Sequence, residues 1–200
     1  MTEHYYTEAP LSKITIFTIT PTIRNRPYKF KTCSGIFSFK KVDKGTQLLL
    51  NHLVIPERAS HVLDMGTGYG IIGIVVAAES PHVQVTLIDI NQRAVWIARE
   101  NLKLNKITNA KVYLGDFFAP IKQENFDVIL SNPPLSLGQK IIFNFISNTI
   151  KYLKNDGYFY LVARTKQGAK KISEKMAVTF GNVQLLKIQG GYRLFRSQKK

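Results

Sequence analysis

The 200-residue sequence predicts an α/β fold: a mostly parallel seven-stranded sheet with helices on both faces, a C-terminal antiparallel hairpin and a short N-terminal β extension. Two observations predict it. From residue 60 onward, short apolar runs alternate with helical patterns, which is how a parallel sheet covered on both faces reads in sequence. Near the end, "VQLLKIQGGYRLFRSQ" is two strand-like runs joined by Gly190-Gly191, and two glycines supply the positive φ angles of a two-residue hairpin turn.

The elements follow in order. "YKFKTCSGIFSFKKVDKGTQLLL" reads as a small β-hairpin, then a helix starting at Asp43-Lys44-Gly45-Thr46. "HVLDMG" is a strand that enters a glycine turn and an apolar helix near Ile71–Glu79. "VQVTLIDI" is a second strand. Asn91 can cap the next helix, in which Val95, Ala98 and Leu102 share one face. "AKVYLGD" and "FDVILSN" are two more strands. "QKIIFNFISNTIKYLKNDG" is a helix expected to stop at Asn155-Asp156-Gly157. "YFYLVART" is a fifth strand, and Gln167 to about Phe180 a further helix. Residues 1–200 are expected to form one domain, with 1–46 an extension that carries the small hairpin and 47–200 the core. The extension has too few apolar residues to fold as a domain of its own.

Composition removes several classes. The longest apolar run, Ile71 to Ala78, is far too short to span a bilayer, and "MTEHYYTEAP" has acids and no apolar stretch, so no secretory signal is expected. Cys33 is the single cysteine, so no internal disulfide can form, consistent with a reducing, cytoplasmic setting. The four histidines show no metal-ligand spacing, so no metal site is expected. The net charge of +15 is unevenly placed. Residues 1–60 hold nine Lys/Arg against four Asp/Glu, residues 61–150 seven of each, and residues 151–200 twelve against two. Basic flanks around a balanced middle are the electrostatic footprint of a nucleic-acid partner.

"VLDMGTGYGIIG" places Asp64, Gly66, Thr67, Gly68, Gly70 and Gly73 in one turn, where glycines let the backbone approach a ligand closely. The spacing is ambiguous. Gly68-x-Gly70-x-x-Gly73 matches the dinucleotide fingerprint; Gly66-x-Gly68-x-Gly70 matches S-adenosylmethionine (SAM) enzymes. Asp89, followed by Ile90, suits the ribose diol of either ligand. Asp64, two residues before the first glycine, favours a cationic ligand. Asp116-Phe117, at the end of the third strand, places an acid and an aromatic where they can bond and stack an adenine, although Phe117 and Phe118 fit plain core packing equally.

In "VILSNPPLSLG", a buried-looking strand runs into Asn132-Pro133-Pro134. Neither proline can donate to a ladder. The stretch falls at the carboxyl edge of the sheet, where α/β folds bind ligands. The Asn132 side-chain carbonyl and the Pro133 main-chain carbonyl are two rigid acceptors that can hold a planar –NH2 group by its hydrogens. Those hydrogens grow more acidic as the nitrogen attacks a methyl group, so the bonds strengthen toward the transition state.

Together "VLDMGTGYGIIG", "LIDIN", "GDFF" and "SNPP" resemble the Rossmann-like class I SAM-dependent methyltransferases with the Asn-Pro-Pro motif of amino-group methylators. "SGIFSFKKVDKGTQLLL" is similar to a segment of the methyltransferase small-domain family, which includes bacterial ribosomal RNA guanine-N2 methyltransferases. "RTKQGAK" (164–170) and "GGYR" (190–193) are similar to segments of its compact archaeal members. The resemblance covers roughly residues 28–198. It implies SAM as methyl donor and an RNA base amino group, most simply guanine N2 in ribosomal RNA, as acceptor. Bacterial members usually follow Asn-Pro-Pro with Phe or Tyr, where this chain has Leu135; Phe37, Phe39 or Tyr192 are candidates to stack the base instead. Those members carry an extra N-terminal half, so RNA recognition here is expected to rest on the basic flanks, with Lys166, Lys170, Lys171, Lys175, Arg193 and Arg196 as candidate phosphate contacts. Adenine N6, a protein glutamine amide, a non-catalytic RNA-binding role and an NAD oxidoreductase remain the alternatives.

Overall fold

The computed structural model describes residue 8 and residues 13–122 and 125–200; most of the N-terminal stretch examined for a leader, His4 included, lies outside these. The strands are β1 (Ile16–Ile19), β2 (Thr22–Ile23), β3 (Arg26–Pro27), β4 (Phe30–Cys33), β5 (His61–Met65), β6 (Gln84–Asp89), β7 (Ala110–Leu114), β8 (Phe126–Ser131), β9 (Leu153–Arg164), β10 (Gln184–Gln189) and β11 (Tyr192–Gln198). The helices are α1 (Lys44–His52), α2 (Ile71–Glu79), α3 (Gln92–Leu104), α4 (Gln139–Tyr152) and α5 (Ala169–Phe180).

The seven-stranded sheet has the order β10-β11-β9-β8-β5-β6-β7. The five strands from β9 to β7 run parallel, and β11 enters antiparallel between β9 and β10. This is the predicted sheet with its terminal hairpin. Period-two alternation sends Val62, Leu130, Tyr160 and Leu194 into one core with α1, α2 and α3, and Leu63, Ile129, Leu161 and Phe195 into a second core with α4 and α5. All eight are buried. Helix α1 crosses the 46/47 boundary expected from sequence and packs on β9 and β11.

Two local expectations differ from the structure. The small hairpin does not form within residues 28–41. Instead β4 pairs antiparallel with β1, Phe30 facing Ile19, while positive φ at Gly35 and Ser38 turns the chain that follows. The other edge of β4 is satisfied by a side chain: Asn101, fully buried on α3, accepts from the Lys31 N–H at 2.7 Å and donates to the Lys31 carbonyl at 2.8 Å. The second difference is the end of α4. The chain is already extended at the buried residue Leu153, so Asn155-Asp156-Gly157 lies within β9. There Asp156 takes φ +61°, and the register with β8 shifts between Phe126 and Val128. The turn-forming residues serve a strand irregularity rather than the helix stop.

Candidate active site

The turn from β5 to α2 is built around a buried acid. Asp64 is fully buried; its Oδ2 accepts from Thr67 Oγ1 at 2.5 Å and from the Gly73 N–H at 2.9 Å. Burial pushes its carboxyl up to about 7 against the opposing pull of those two bonds. Gly66 and Gly68 take φ of +73° and +59°, and a Cβ on either would meet nothing within 4 Å, because open cavity lies there. Gly70 and Gly73 do other work. Gly70, at φ +91°, is the N-cap of α2, and a Cβ on Gly73 would lie 2.6 Å from Leu87 Cγ. The third glycine of the dinucleotide-like spacing therefore packs helix on strand, and Gly70, expected among the cofactor contacts, does not line the cavity.

The cavity, about 800 Å³, opens at the carboxyl ends of β5, β6, β7 and β8. It gathers Gly66, Gly68, Asp89, Ile90, Asp116, Phe117, Asn132, Pro133 and Pro134 from four separate segments, nine of the residues singled out from sequence. Thr67 and Asp64 stand behind the turn and shape it. Asp89 is held by the Gly68 N–H at 2.8 Å and the Asn91 N–H at 2.9 Å. Burial raises its carboxyl, while the N–H groups of Asn91, Gly68 and Ile90 pull it back. A carboxylate with both oxygens so engaged retains lone pairs to accept further hydroxyls. Phe117 has φ +45°, and its ring stacks on Phe145 at 5.1 Å between centroids, so it serves the second core as well as the cavity wall.

Asn132 leaves β8 with its amide fully oriented. Its Nδ2 donates to Asp43 Oδ2 at 2.9 Å and to Thr46 Oγ1 at 3.0 Å. Of the three candidate stacking aromatics, Phe37 lines the cavity, Phe39 packs on Phe17, and Tyr192 is buried and bonded to Asp43. Phe37 rides a loop tied to α3 by Asn91 Nδ2 donating to the Gly35 carbonyl at 3.0 Å. Sequence reasoning missed Asp43 and Thr46 at the site, together with Lys140 and Asn144 from α4 on the cavity wall. Asp43 did carry a signal, but of a helix cap: it accepts from the N–H groups of Gly45 and Thr46.

The six candidate phosphate contacts do not form one cluster. Lys166, Lys170 and Lys171 lie exposed at the carboxyl edge, in the turn after β9 and the first turn of α5. Lys171 Nζ lies 3.3 Å from Gln139 Oε1, which sets the start of α5 beside the start of α4. Lys175 is one turn further along α5. Arg193 and Arg196, separated by three positions on β11, point to opposite faces. Arg196 bonds Gln184 at 2.7 Å and lies 4.9 Å over the Tyr158 ring, in mid-sheet.

The sheet order and the cavity at its carboxyl edge are those of a class I SAM-dependent methyltransferase. The chain belongs to the methyltransferase small domain family, whose sequence model matches residues 27–196. The uncharacterized protein YbxB of Bacillus subtilis is 36% identical over 200 residues, covering 100% of both chains. Ribosomal RNA small subunit methyltransferase C of Buchnera aphidicola is 30% identical over 174 residues, 85% of this chain and 52% of that protein. The structure of T. thermophilus 16S rRNA N2 methyltransferase RsmC, in complex with AdoMet and guanosine, matches with a TM-score of 0.84 and 26% identity, over 96% of this chain and 52% of that one. The chain thus spans about half the length of the ribosomal RNA methyltransferases it matches, and the full length of YbxB.

Proposed function

We propose that the protein transfers a methyl group from SAM to an exocyclic amino group of an RNA base, guanine N2 in ribosomal RNA. One observation carries the reading: Asp89, Gly66 and Gly68, and the Asn132-Pro133 pair line the same cavity. The residues fit the donor. Gly66 and Gly68 leave room for its methionine end, Asp89 accepts from its ribose hydroxyls, and Asp116 and Phe117 lie where its adenine would reach. When bound, SAM supplies an electrophilic sulfonium methyl. The chain's own residues then hold the acceptor. Asn132 Oδ1 and the Pro133 carbonyl accept the two amino hydrogens and aim the nitrogen lone pair at the methyl carbon. As the N–C bond forms and the S–C bond breaks, positive charge grows on the amino group and both bonds strengthen; the surplus proton leaves to solvent. Lys140 in the cavity wall and Lys166, Lys170 and Lys171 beside it offer cations to an RNA backbone. The names and guanosine ligand of the RsmC relatives support guanine over adenine.

The test incubates purified protein with methyl-tritiated SAM and total RNA from a strain deleted for the gene, then identifies the labelled nucleoside. Label in N2-methylguanosine of ribosomal RNA is expected, lost in Asn132→Ala while SAM still binds. Label in N6-methyladenosine would move the acceptor to adenine. Transfer retained by Asn132→Ala would remove Asn132 from the mechanism.

A further inference from the structure

Three segments that the transfer chemistry leaves unused converge behind Asn132. Asp43 comes from "KVDKGT", Arg164 from "RTKQGAK" and Tyr192 from "GGYR". Asp43 Oδ2 accepts from Asn132 Nδ2 at 2.9 Å, and its Oδ1 from Tyr192 Oη at 2.7 Å. Tyr192 Oη in turn accepts from Arg164 Nε at 2.8 Å, and the Arg164 guanidinium lies 5.1 Å over the tyrosine ring. The ring rests on the first turn of α1, where a Cβ on Gly45 would come within 2.7 Å of Tyr192 Cδ1. That contact accounts for the glycine two residues after Asp43.

We infer that Asp43 is a positioning residue: held by Tyr192 and Arg164, it fixes the Asn132 amide so that the carbonyl Oδ1 faces the acceptor amino group. The inference rests on the proposed transfer at Asn132. An amide rotated by half a turn would aim its carbonyl at the Asp43 carboxylate and lose both donated bonds, leaving an –NH2 facing the substrate's –NH2. Asp43 therefore excludes the unproductive rotamer, and the Thr46 hydroxyl completes the acceptor pair.

Asp43 also caps α1, so the test must spare the cap. Serine caps as well as aspartate but is too short to reach Asn132 or Tyr192; asparagine caps and keeps an oxygen toward Asn132. With wild-type transfer to RNA established, Asp43→Ser is expected to lower kcat by about tenfold or more, the loss of one charge-assisted bond. Its SAM affinity by calorimetry and its Tm should stay near wild type, and Asp43→Asn should restore most of the rate. Tyr192→Phe, which keeps the ring on Gly45, should lower kcat by a smaller factor with SAM affinity unchanged. Wild-type kcat in Asp43→Ser, or a kcat loss matched in Asp43→Asn and Tyr192→Phe by equal losses of Tm and SAM affinity, would overturn the inference. Absence of transfer in the wild type would instead overturn the proposed function beneath it.

Discussion

Asp64 holds the glycine turn while carrying a carboxyl that burial has pushed up to about 7 from 3.8. The folded protein therefore keeps a proton that the unfolded chain releases between those values. Its contribution to stability is fully present below pH about 4, declines as pH rises, and is gone above about 7. At about 1.4 kcal/mol per unit, the decline amounts to roughly 4 kcal/mol. Subtracting the stability curve of Asp64→Asn from that of wild type, by urea denaturation from pH 4 to 8, should show this slope; a flat difference would mean that Asp64 is ionised in the folded protein. Asp64 and Asn132 were legible in sequence because each sits at a strand end in a local pattern of glycines or prolines, and Asp89 because it ends the strand that follows the glycine turn. Asp43 and Tyr192 were not. Their partners lie 89 and 149 positions away, and no local period encodes such a contact.

Elements show the same division. Strands β5, β6, β7, β8, β9, β10 and β11 were readable because apolar runs bounded by turn residues have few alternatives. The pairing of β4 with β1 was not, since "SGIFSF" alternates like a strand while Gly35, Asn91 and Arg93 hold it as a loop over the cavity. Gly73 shows how an element is seated. Alanine there would gain about 1 kcal/mol of helix propensity in α2. It would also press a methyl to within 2.6 Å of the buried Leu87 side chain, and overpacking of this kind costs about 1–3 kcal/mol. Gly73→Ala is expected to lower stability by about 1 kcal/mol in chemical denaturation and to shift α2, weakening SAM binding. A stabilised variant would show that Leu87 yields without cost.

For the whole molecule, the question is where an excess of fifteen positive charges acts. Sequence located the excess in the flanks; the fold decides which of those charges reach the cavity, and adds Lys140 from the balanced middle. The chain returns to the carboxyl edge at the start of α4, in the turn after β9 and at the start of α5, so Lys140, Lys166, Lys170 and Lys171 stand exposed on one rim. Arg196 is spent inside the sheet surface, on Gln184 and two tyrosine rings. Under the proposed function, an RNA with a base against Asn132 would run its backbone along that rim and release counterions there. On a single strand each neutralised phosphate contributes about 0.7 to the slope of log affinity against log salt. Lys140→Ala and Lys166→Ala should therefore each flatten the slope by about 0.7, measured by fluorescence anisotropy with a labelled ribosomal RNA fragment, and Lys170→Ala likewise. Arg196→Ala should leave the slope unchanged, because its guanidinium is already committed. A slope that responds to Arg196 and ignores the lysines would move the RNA contact from that rim to the terminal hairpin and overturn this assignment.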